Sequence, residues 1–218
     1  MTTLRVVEIF DSLQGEGFWT GCPMTFVRLA GCNAPALGLG CTRWCDTQGS
    51  WDLEAGDELD IDVITRLVHL PCLCLTGGEP LLQVDGLVEL IAAARARDVR
   101  VHLETNGTVD PPPTVGGEGR FDEEAAIGFD WAVVSPKPPE YAVSSGWEGL
   151  VDELKLVVDE HLTAAIAERL AATHPGAMVS IQPEHGGGRE SVDQAVALVM
   201  SHPDWRLSLQ THRFLGIR

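Results

Sequence analysis

The sequence has 218 residues, of which 44% are hydrophobic and 22% charged, as in an ordinary globular protein. Lys and Arg number 15 against 32 Asp and Glu, and the formal net charge of −17 opposes broad nucleic-acid or anionic-membrane binding, which needs clustered positive charge. No apolar run approaches the roughly 18 residues of a membrane span, and the opening residues, MTTLRVVEIF, show no signal-peptide pattern. We therefore expect a cytoplasmic protein with neither nucleic acid nor membrane as a partner, and the length allows one or two domains within residues 1–218.

Strand and helix patterns alternate along most of the chain. Period-two and short apolar runs predict strands near 5–10, 24–30, 71–76, 99–105, 130–135, 153–158, 177–182 and 206–211. Apolar spacing of three and four predicts helices near 60–69, 81–97, 160–173 and 190–202. This alternation indicates an α/β fold with a largely parallel sheet. Residues 111–127, rich in Pro and Gly, are predicted to form an irregular loop.

Three cysteines, Cys32, Cys41 and Cys45, share the glycine-rich loop GCNAPALGLGCTRWCDT. Thiolates are the usual ligands of iron–sulfur clusters, and a four-iron cluster held by three of them leaves one iron open to a chelating small molecule such as S-adenosylmethionine (SAM). A structural zinc site would need a fourth ligand from a distant histidine. The loop alone leaves three interpretations open: a cluster, a zinc site, or three reduced thiols.

The other three cysteines carry less information. Cys72 and Cys74 alternate in the run PCLCLT, and we expect them to be small buried residues of a strand. Cys22 has no evident partner. In a chain of this length without a signal-peptide pattern, six cysteines favour reduced thiols or metal ligands over a disulfide framework.

Five loops with polar or conformationally special residues each follow a predicted strand: the cysteine loop, TGGEP, ETNGT, SPKPP and QPEH. Because α/β folds place their chemistry at the carboxyl ends of the strands, we expect these loops to converge on one rim. In TGGEP, two glycines would let a ligand approach the backbone, and Pro80 suits a first helical turn. An ordinary strand-to-helix turn is the competing interpretation of that motif.

A three-cysteine loop followed by GGEP resembles the radical SAM enzymes, in which the open iron of a 4Fe–4S cluster binds SAM and cleaves it reductively to a 5′-deoxyadenosyl radical. Within that superfamily the order of EIFDSLQGEG, FVRLAGCN, WCDT, TGGEP, ETNGT, SPK, ELKLV, QP and LSLQTHRFLGIR is similar to that of the 7-carboxy-7-deazaguanine synthases, over almost the whole chain. The resemblance implies an incomplete TIM-like barrel. It also implies one core domain with an N-terminal substrate-binding strand and a C-terminal tail that closes the site.

The resemblance further implies a reaction and its helpers. The family converts 6-carboxy-5,6,7,8-tetrahydropterin to 7-carboxy-7-deazaguanine with loss of ammonia, a carbon–nitrogen lyase step of queuosine and 7-deazapurine biosynthesis that depends on SAM and Mg²⁺. The implied partners are the small pterin substrate, a second copy of the chain in a homodimer, and an electron donor such as flavodoxin or ferredoxin.

The cysteine spacing departs from the family's common CxxxCxxC. Eight residues separate Cys32 from Cys41, and three separate Cys41 from Cys45. Some members carry an enlarged first gap, and lengthening a loop from three to eight residues costs only about 0.9 kcal/mol of closure entropy. No other cysteine is near enough in sequence to be a natural substitute, so the resemblance implies that these three hold the cluster.

The resemblance also assigns the remaining cofactor contacts. The residues that match SAM-binding positions are Trp44, Asp46, Gly77, Gly78, Glu79, Ser135, Lys137, Gln182, Pro183, Glu184 and His185. Thr47 matches the position that ligates Mg²⁺; without the resemblance it would be a helix cap or turn residue. No side chain is assigned as a catalytic group, because the cofactor carries the radical.

The residues that match substrate-binding positions are Leu13, Gln14, Gly15, Glu16, Arg28, Thr76, Glu104, Asn106, His212 and Arg218. Arg28 is the candidate for the substrate carboxylate, because a guanidinium pairs bidentately with that group. Glu16 could accept ring protons of the pterin or orient Arg28. For Asn106 an Asn-Gly turn is the competing account. In the family the terminal carboxylate approaches the substrate, a position that Arg218 occupies here.

Three alternatives remain at the level of sequence. An activase that installs a glycyl radical on a protein would need a docking surface. A non-catalytic zinc-binding domain would use Cys32, Cys41 and Cys45 with one of the seven histidines. A degenerate relative, with altered cysteine spacing, would hold no cluster.

Overall fold

The computed structural model describes residues 2–112 and 128–218. The strands are β1 (Thr3–Leu13), β2 (Pro23–Leu29), β3 (Asp57–Asp60), β4 (Cys72–Gly77), β5 (Arg100–Thr105), β6 (Trp131–Val134), β7 (Glu153–Val158), β8 (Met178–Pro183) and β9 (Arg206–Leu207). The helices are α1 (Ile61–Leu67), α2 (Val84–Arg95), α3 (Ala164–Thr173), α4 (Gly188–Ser201) and α5 (Thr211–Leu215). All eight predicted strands and all four predicted helices are present.

The strands form one open sheet in the order β3-β1-β2-β4-β5-β6-β7-β8-β9. From β2 to β9 every neighbouring pair is parallel, whereas β1 pairs antiparallel with both β2 and β3. Because β3 and β9 stay at opposite edges, the sheet does not close. This confirms the predicted α/β fold of the incomplete-barrel type, with an antiparallel hairpin at its first edge.

The boundaries differ from the prediction at both edges of the sheet. β1 is longer than predicted and reaches Leu13, while the last strand stops at Leu207 because residues Thr211–Leu215 turn into a short helix. The four-residue edge strand β3 was not predicted. The predicted loop at 111–127 lies, apart from its first two residues, outside the described residues.

The two faces of the sheet have different roles, as β7 illustrates. Leu154, Leu156 and Val158 are fully buried in the main hydrophobic core. The alternating residues Lys155 and Val157 line a cavity on the opposite face, as the period of two in a strand requires. Helix α2 covers the core face with Leu87, Leu90 and Ile91, each of which contributes about 1.5–3 kcal/mol by its burial.

A smaller apolar layer lies on the cavity face of the sheet. Met24, Phe26, Cys72 and Cys74 are buried there, and Cys22 packs against them. The burial confirms that Cys72 and Cys74 act as small apolar residues of a strand. All six cysteines are free thiols, and no helix in the described part of the chain has the length and apolarity to span a bilayer.

Candidate active site

A cavity of about 250 Å³ opens at the carboxyl ends of the parallel strands. Each of the five loops singled out in the sequence contributes to its wall, so the loops do meet at one rim. The predicted site residues that line it are Leu13, Gln14, Gly15, Glu16, Arg28, Cys32, Cys41, Trp44, Cys45, Asp46, Thr47, Thr76, Gly77, Gly78, Glu104, Asn106, Ser135, Lys137, Gln182, Pro183, His185, His212 and Arg218. Only two predicted residues, Glu79 and Glu184, are not part of the lining.

Glu79 is fully buried behind the end of β4. Its carboxylate accepts hydrogen bonds from the hydroxyl of Thr105 at 2.8 Å and from the backbone N–H groups of Asn106 and Leu81 at 2.8 and 3.2 Å. Burial raises the pKa of Glu79. The acid of GGEP thus ties β4 to β5 instead of reaching the cavity. Glu184 joins the end of β7 through its backbone N–H, which donates to the carbonyl of Val158 at 3.2 Å.

The cysteine loop is held against its neighbours by backbone hydrogen bonds. Cys32 N–H donates to the carbonyl of Trp51 at 3.0 Å, and Gly40 N–H donates to the carbonyl of Pro138 at 2.7 Å. The second bond joins the loop after β2 to the loop after β6. Cys41 is buried and lies in a short 3-10 turn, Gly40–Arg43. The long gap after Cys32 is therefore an anchored loop.

The three loop thiols influence one another electrostatically. Burial raises the pKa of Cys41 to about 11; Lys137 opposes this rise, and the Cys45 and Cys32 thiols add to it. Burial also raises the pKa of Cys32. Burial and mutual repulsion both disfavour the thiolate forms of these cysteines. A bound cationic group would offset both effects, so the three sulfur donors are suited to a metal-containing cofactor. Within residues 2–112 and 128–218, no three or more His, Cys, Asp and Glu side chains are arranged to hold a single metal ion.

The two glycines of GGEP are required by close packing. A Cβ on Gly78 would lie 2.1 Å from the carbonyl oxygen of Gly31 and 2.8 Å from the Cβ of Cys32. Gly77 has a φ of 140°, and a Cβ there would lie 2.2 Å from the carbonyl oxygen of Leu29. The glycines bring the end of β4 against the start of the cysteine loop and leave its backbone open to the cavity.

Trp44 is held in place by a carboxylate that the sequence analysis did not select. Its indole Nε1 donates to Asp159 at 3.3 Å, and the buried hydroxyl of Tyr141 donates to the same carboxylate at 2.9 Å. The ammonium of Lys137 lies 5.4 Å from the Trp44 ring centroid and donates to Ser135 at 2.7 Å. Asp159 thus links the loops that follow β2, β6 and β7.

Thr47 and Asn106, each of which has a competing structural interpretation, differ in the outcome. Thr47 precedes the 3-10 turn Gln48–Ser50, but its side chain does not cap that turn; its hydroxyl lies 3.4 Å from the sulfur of Cys45. Asn106 forms the Asn-Gly turn considered from the sequence, because its side-chain oxygen accepts from the N–H of Thr108 at 2.8 Å. Its amide also donates to Asn33 at 2.9 Å, which joins the ETNGT turn to the cysteine loop.

The floor of the cavity carries a buried charged network. Lys155 is 7% exposed, and its ammonium lies 2.5 Å from Glu16 and 3.6 Å from Glu104. Burial opposes ionisation of Glu16, but the Lys155 ammonium outweighs it and lowers the pKa of Glu16 to about 2. Burial likewise opposes the charge on Lys155, whereas Glu104 and Glu16 together raise its pKa. Gln14 and Thr76 donate to Glu104 at 3.2 and 3.0 Å.

The outer wall of the cavity is built around Glu8, another residue that the sequence analysis did not select. One carboxylate oxygen accepts from Nε of Arg28 at 2.8 Å, and the other is paired with the guanidinium of Arg218. That guanidinium also lies 4.9 Å from the centroid of the Phe10 ring. His212 packs on Gly15, where a Cβ would lie 2.0 Å from its Nδ1.

Helix α5 is tied to the cysteine loop by polar contacts. Arg213 pairs with Asp46 at 2.6 Å and contacts the ring nitrogen of His185 at 3.1 Å. Gln210, just before the helix, donates to Glu16 at 2.8 Å and to Asp46 at 3.3 Å. Asp46 is therefore engaged by the protein itself on the side that faces α5.

An open, mostly parallel sheet with thiols, glycines and a charged floor at its carboxyl ends defines an α/β enzyme of the incomplete-barrel class. The fold is similar to that of QueE from Escherichia coli, with a TM-score of 0.74, coverage of 97% of this chain and 96% of that chain, and 24% identity. No protein-family model matches the sequence.

Curated relatives identify the family. The 7-carboxy-7-deazaguanine synthase of Bacteroides thetaiotaomicron is 37% identical, with 98% of each chain covered. That of Bordetella pertussis is 36% identical, with 97% of this chain and 98% of the relative covered. That of Caulobacter vibrioides is 35% identical, with 99% of each covered. The chain belongs to the 7-carboxy-7-deazaguanine synthase family.

Proposed function

We propose that this protein converts 6-carboxy-5,6,7,8-tetrahydropterin to 7-carboxy-7-deazaguanine with loss of ammonia, and that it needs a 4Fe–4S cluster, SAM and Mg²⁺ to do so. The observation that supports this most directly is one cavity with two chemically distinct sides. One side carries three thiols and a glycine strand end, and the other carries Gln14, Glu16, Arg28 and Glu104. A cofactor and a polar heterocyclic substrate could therefore meet in a single cavity.

Cys32, Cys41 and Cys45 would hold the cluster, whose open iron and bound SAM supply the radical chemistry. Each of these cysteines would bind a different iron, which distinguishes the site from one built around a single ion. The backbone of Gly77 and Gly78 would accept the methionyl end of SAM. Lys137 and Ser135 are suited to a carboxylate and a ribose hydroxyl, respectively. Trp44, with Asp46 and the residues Gln182–His185 that face the cavity, would surround the adenosine.

Thr47 would give its hydroxyl to Mg²⁺, which takes oxygen ligands and keeps several waters. The Thr47 side chain lines the cavity beside Cys45 and makes no cap to the turn that follows it. Because the hydroxyl contacts the Cys45 sulfur and not the backbone of the turn, its position at the cavity supports this role. The substrate carboxylate would supply a further oxygen ligand.

The pterin would lie between the floor and the outer wall of the cavity. Arg28 would bind its carboxylate, and Gln14, Glu16, Thr76 and Glu104 would contact the polar edge of the ring. His212 and Arg218 would cover it from the side of α5 and the last residues. The protein's own contribution is to orient the ring against the cofactor and to exclude water, which matters because misplacement of about 1 Å can cost on the order of 100-fold in rate.

The proposal includes a homodimer and an electron donor such as flavodoxin or ferredoxin. It also includes a reducing compartment such as the cytoplasm, since the three thiols must stay reduced to bind iron. Sedimentation analysis of the loaded protein would test the dimer. Reduction of the cluster by each candidate donor, followed optically, would test the electron transfer.

The decisive experiment is anaerobic reconstitution with iron and sulfide, followed by reductant, SAM, Mg²⁺ and the carboxylated pterin, with products identified by mass. Formation of 7-carboxy-7-deazaguanine together with 5′-deoxyadenosine would support the whole proposal. Cleavage of SAM without that product would show that the substrate is wrong. Failure to bind iron and sulfide would show that the cysteine loop is not a cluster site. Omission of Mg²⁺ from a parallel reaction tests whether the metal is required.

A further inference from the structure

The chain contains only two lysines, Lys137 and Lys155, and its 13 other basic residues are arginines. Both lysines line the cavity. Lys155 is the deeper one: it lies in the middle of β7, and its side chain is 9% exposed. A buried ammonium is costly unless it is paired, so its presence in the middle of a fully buried strand calls for a specific role.

The carboxylates around Lys155 behave as acceptors at every oxygen. Glu16 accepts from Lys155 at 2.5 Å and from Gln210 at 2.8 Å. Glu104 accepts from Gln14 at 3.2 Å through one oxygen and from Thr76 at 3.0 Å through the other. Because each carboxylate oxygen has two acceptor positions, both groups keep capacity for a ligand. The four oxygens of Glu16 and Glu104 therefore each receive one donor from the protein.

The charged surroundings of this floor come from several elements. Groups that act on Lys155 or on its two carboxylate partners are Glu16 after β1, His102 and Glu104 on β5, Lys137 after β6, Glu153 on β7 and His212 on α5. Glu153 is fully buried and receives the Ser180 hydroxyl at 2.5 Å and the Trp131 indole N–H at 3.2 Å. Among the charged side chains of the described residues, Lys155 alone has its charged atom within 4 Å of both Glu16 and Glu104.

We infer that Lys155 is a positioning residue for substrate recognition: its ammonium, between Glu16 and Glu104, holds the two carboxylates in place as a pair of acceptors for adjacent N–H donors of the ligand. The inference rests on the proposed function, since a pterin is the ligand that presents such donors here. A 2-amino-4-oxo pyrimidine edge carries an exocyclic amine next to a ring N–H, which matches two carboxylates. Heterocycles that present acceptors at that edge would be rejected, because they would leave the carboxylates unpaired.

The charge of Lys155 can be read directly, because only two lysines exist. The cofactor-free chain, labelled with ¹⁵N at lysine side chains, should show two Nζ signals, and a Lys137→Arg variant assigns them. We expect the Lys155 signal to remain that of a charged ammonium up to about pH 11, above the ordinary lysine value of about 10.4. In a Glu16→Gln variant it should titrate at lower pH. A Lys155 signal that loses its proton at or below the ordinary value would overturn the inference.

Kinetics of Lys155→Met and Lys155→Arg then test the consequence for recognition. Removal of the ammonium leaves two carboxylates that share a proton near neutral pH, because like charges raise the pKa of one of them. We expect Lys155→Met to lower kcat/KM about 100-fold at pH 7, mainly through KM, and to recover part of the loss as rising pH removes that proton. Lys155→Arg keeps the charge and should lose no more than about 10-fold, with a pH profile like that of the unmodified enzyme.

The outcomes separate this inference from the proposed function. If the unmodified enzyme makes product and Lys155→Met has an unchanged KM and pH profile, Lys155 is not a positioning residue. If the unmodified enzyme makes no product, the proposed function fails, and pterin binding to the cofactor-free chain and its Lys155→Met variant, followed by calorimetry, decides the role of the lysine. Should Lys155→Met fail to fold by circular dichroism, the Lys155→Arg profile and the Nζ titrations decide it.

Discussion

Arg28 and Glu8 face each other across the antiparallel pair β1 and β2, and Nε of Arg28 donates to Glu8 at 2.8 Å. The bond uses only Nε. Within residues 2–112 and 128–218, the two terminal nitrogens of Arg28 make no hydrogen bond, although its side chain is 20% exposed and lines the cavity. The pair therefore fixes the direction of a guanidinium whose bidentate edge is available to a carboxylate.

Arg28→Met should lower kcat/KM for the carboxylated pterin by about 100-fold, because it removes a bidentate charged contact of about 3 kcal/mol. Arg189→Met is the matched control, since that side chain is 85% exposed on α4. Binding to the cofactor-free chain should lose a similar factor for the carboxylated pterin but little for its analogue without a carboxylate. An equal loss for both ligands would show that Arg28 has only a structural role.

Cys41→Ala should abolish cluster formation, whereas Cys22→Ala should not. Cys41 is a buried member of the cysteine loop, while Cys22 packs against the smaller apolar layer on the cavity face of the sheet. Iron and sulfide analysis after reconstitution should give about four of each per chain for the unmodified protein and for Cys22→Ala. Retention of a full cluster by Cys41→Ala would contradict the assignment of the unusual spacing.

The sequence predicted most of the fold because its strong apolar periods correspond to buried faces. It missed β3, whose sequence DELD is acidic and which pairs with β1 at an edge through backbone hydrogen bonds. It also missed α5, a five-residue helix with no buried side chain and with Phe214 81% exposed. Helices and strands that bury no apolar face show no apolar periodicity in the sequence, so this pattern cannot reveal them.

The residues of the candidate site that lie in sequence motifs were predictable. The pairings between residues far apart in the sequence were not. Lys155 and Asp159 lie in ELKLVVDE, where charges interrupt a buried strand, and that interruption is a signal that local reasoning could have used. The pairing of Glu8 with Arg28 depends on the register of two strands, which a single sequence does not supply. The direction of Glu79 was not predictable either, because a strand end can direct an acid to the cavity or to the neighbouring strand, and here the carboxylate bonds to Thr105 and Asn106.

Gly78→Ala should destabilise the protein, because a Cβ would lie 2.1 Å from the carbonyl oxygen of Gly31, a backbone atom that cannot rotate away. We expect a loss of about 2–3 kcal/mol in the free energy of unfolding. Gly176→Ala, where a Cβ meets no atom within 4 Å, is the control. Chemical denaturation of the cofactor-free proteins measures both. If the two variants are equally stable, the strand end does not pack against the cysteine loop as described.

His102 should make the stability of the cofactor-free protein depend on pH. The side chain is 3% exposed, its Nε2 is buried without a hydrogen-bond partner among the described residues, and its ring lies 5.2 Å from that of Trp19. Burial, with a further contribution from Arg100, lowers the pKa of His102 to about 4. The unfolded chain, with a histidine pKa of about 6.5, binds the proton more readily between these two values, so stability is lost as pH falls through this window.

The expected size is a decrease of about 2 kcal/mol in the free energy of unfolding between pH 7 and pH 5 from this one group. His102→Phe keeps an aromatic ring beside Trp19 and should remove most of that decrease. His69→Gln, a change at a side chain that is 62% exposed, should not. Urea denaturation at several pH values measures the slopes. A His102→Phe protein that loses stability between pH 7 and pH 5 as steeply as the unmodified chain would show that His102 is charged in the folded state.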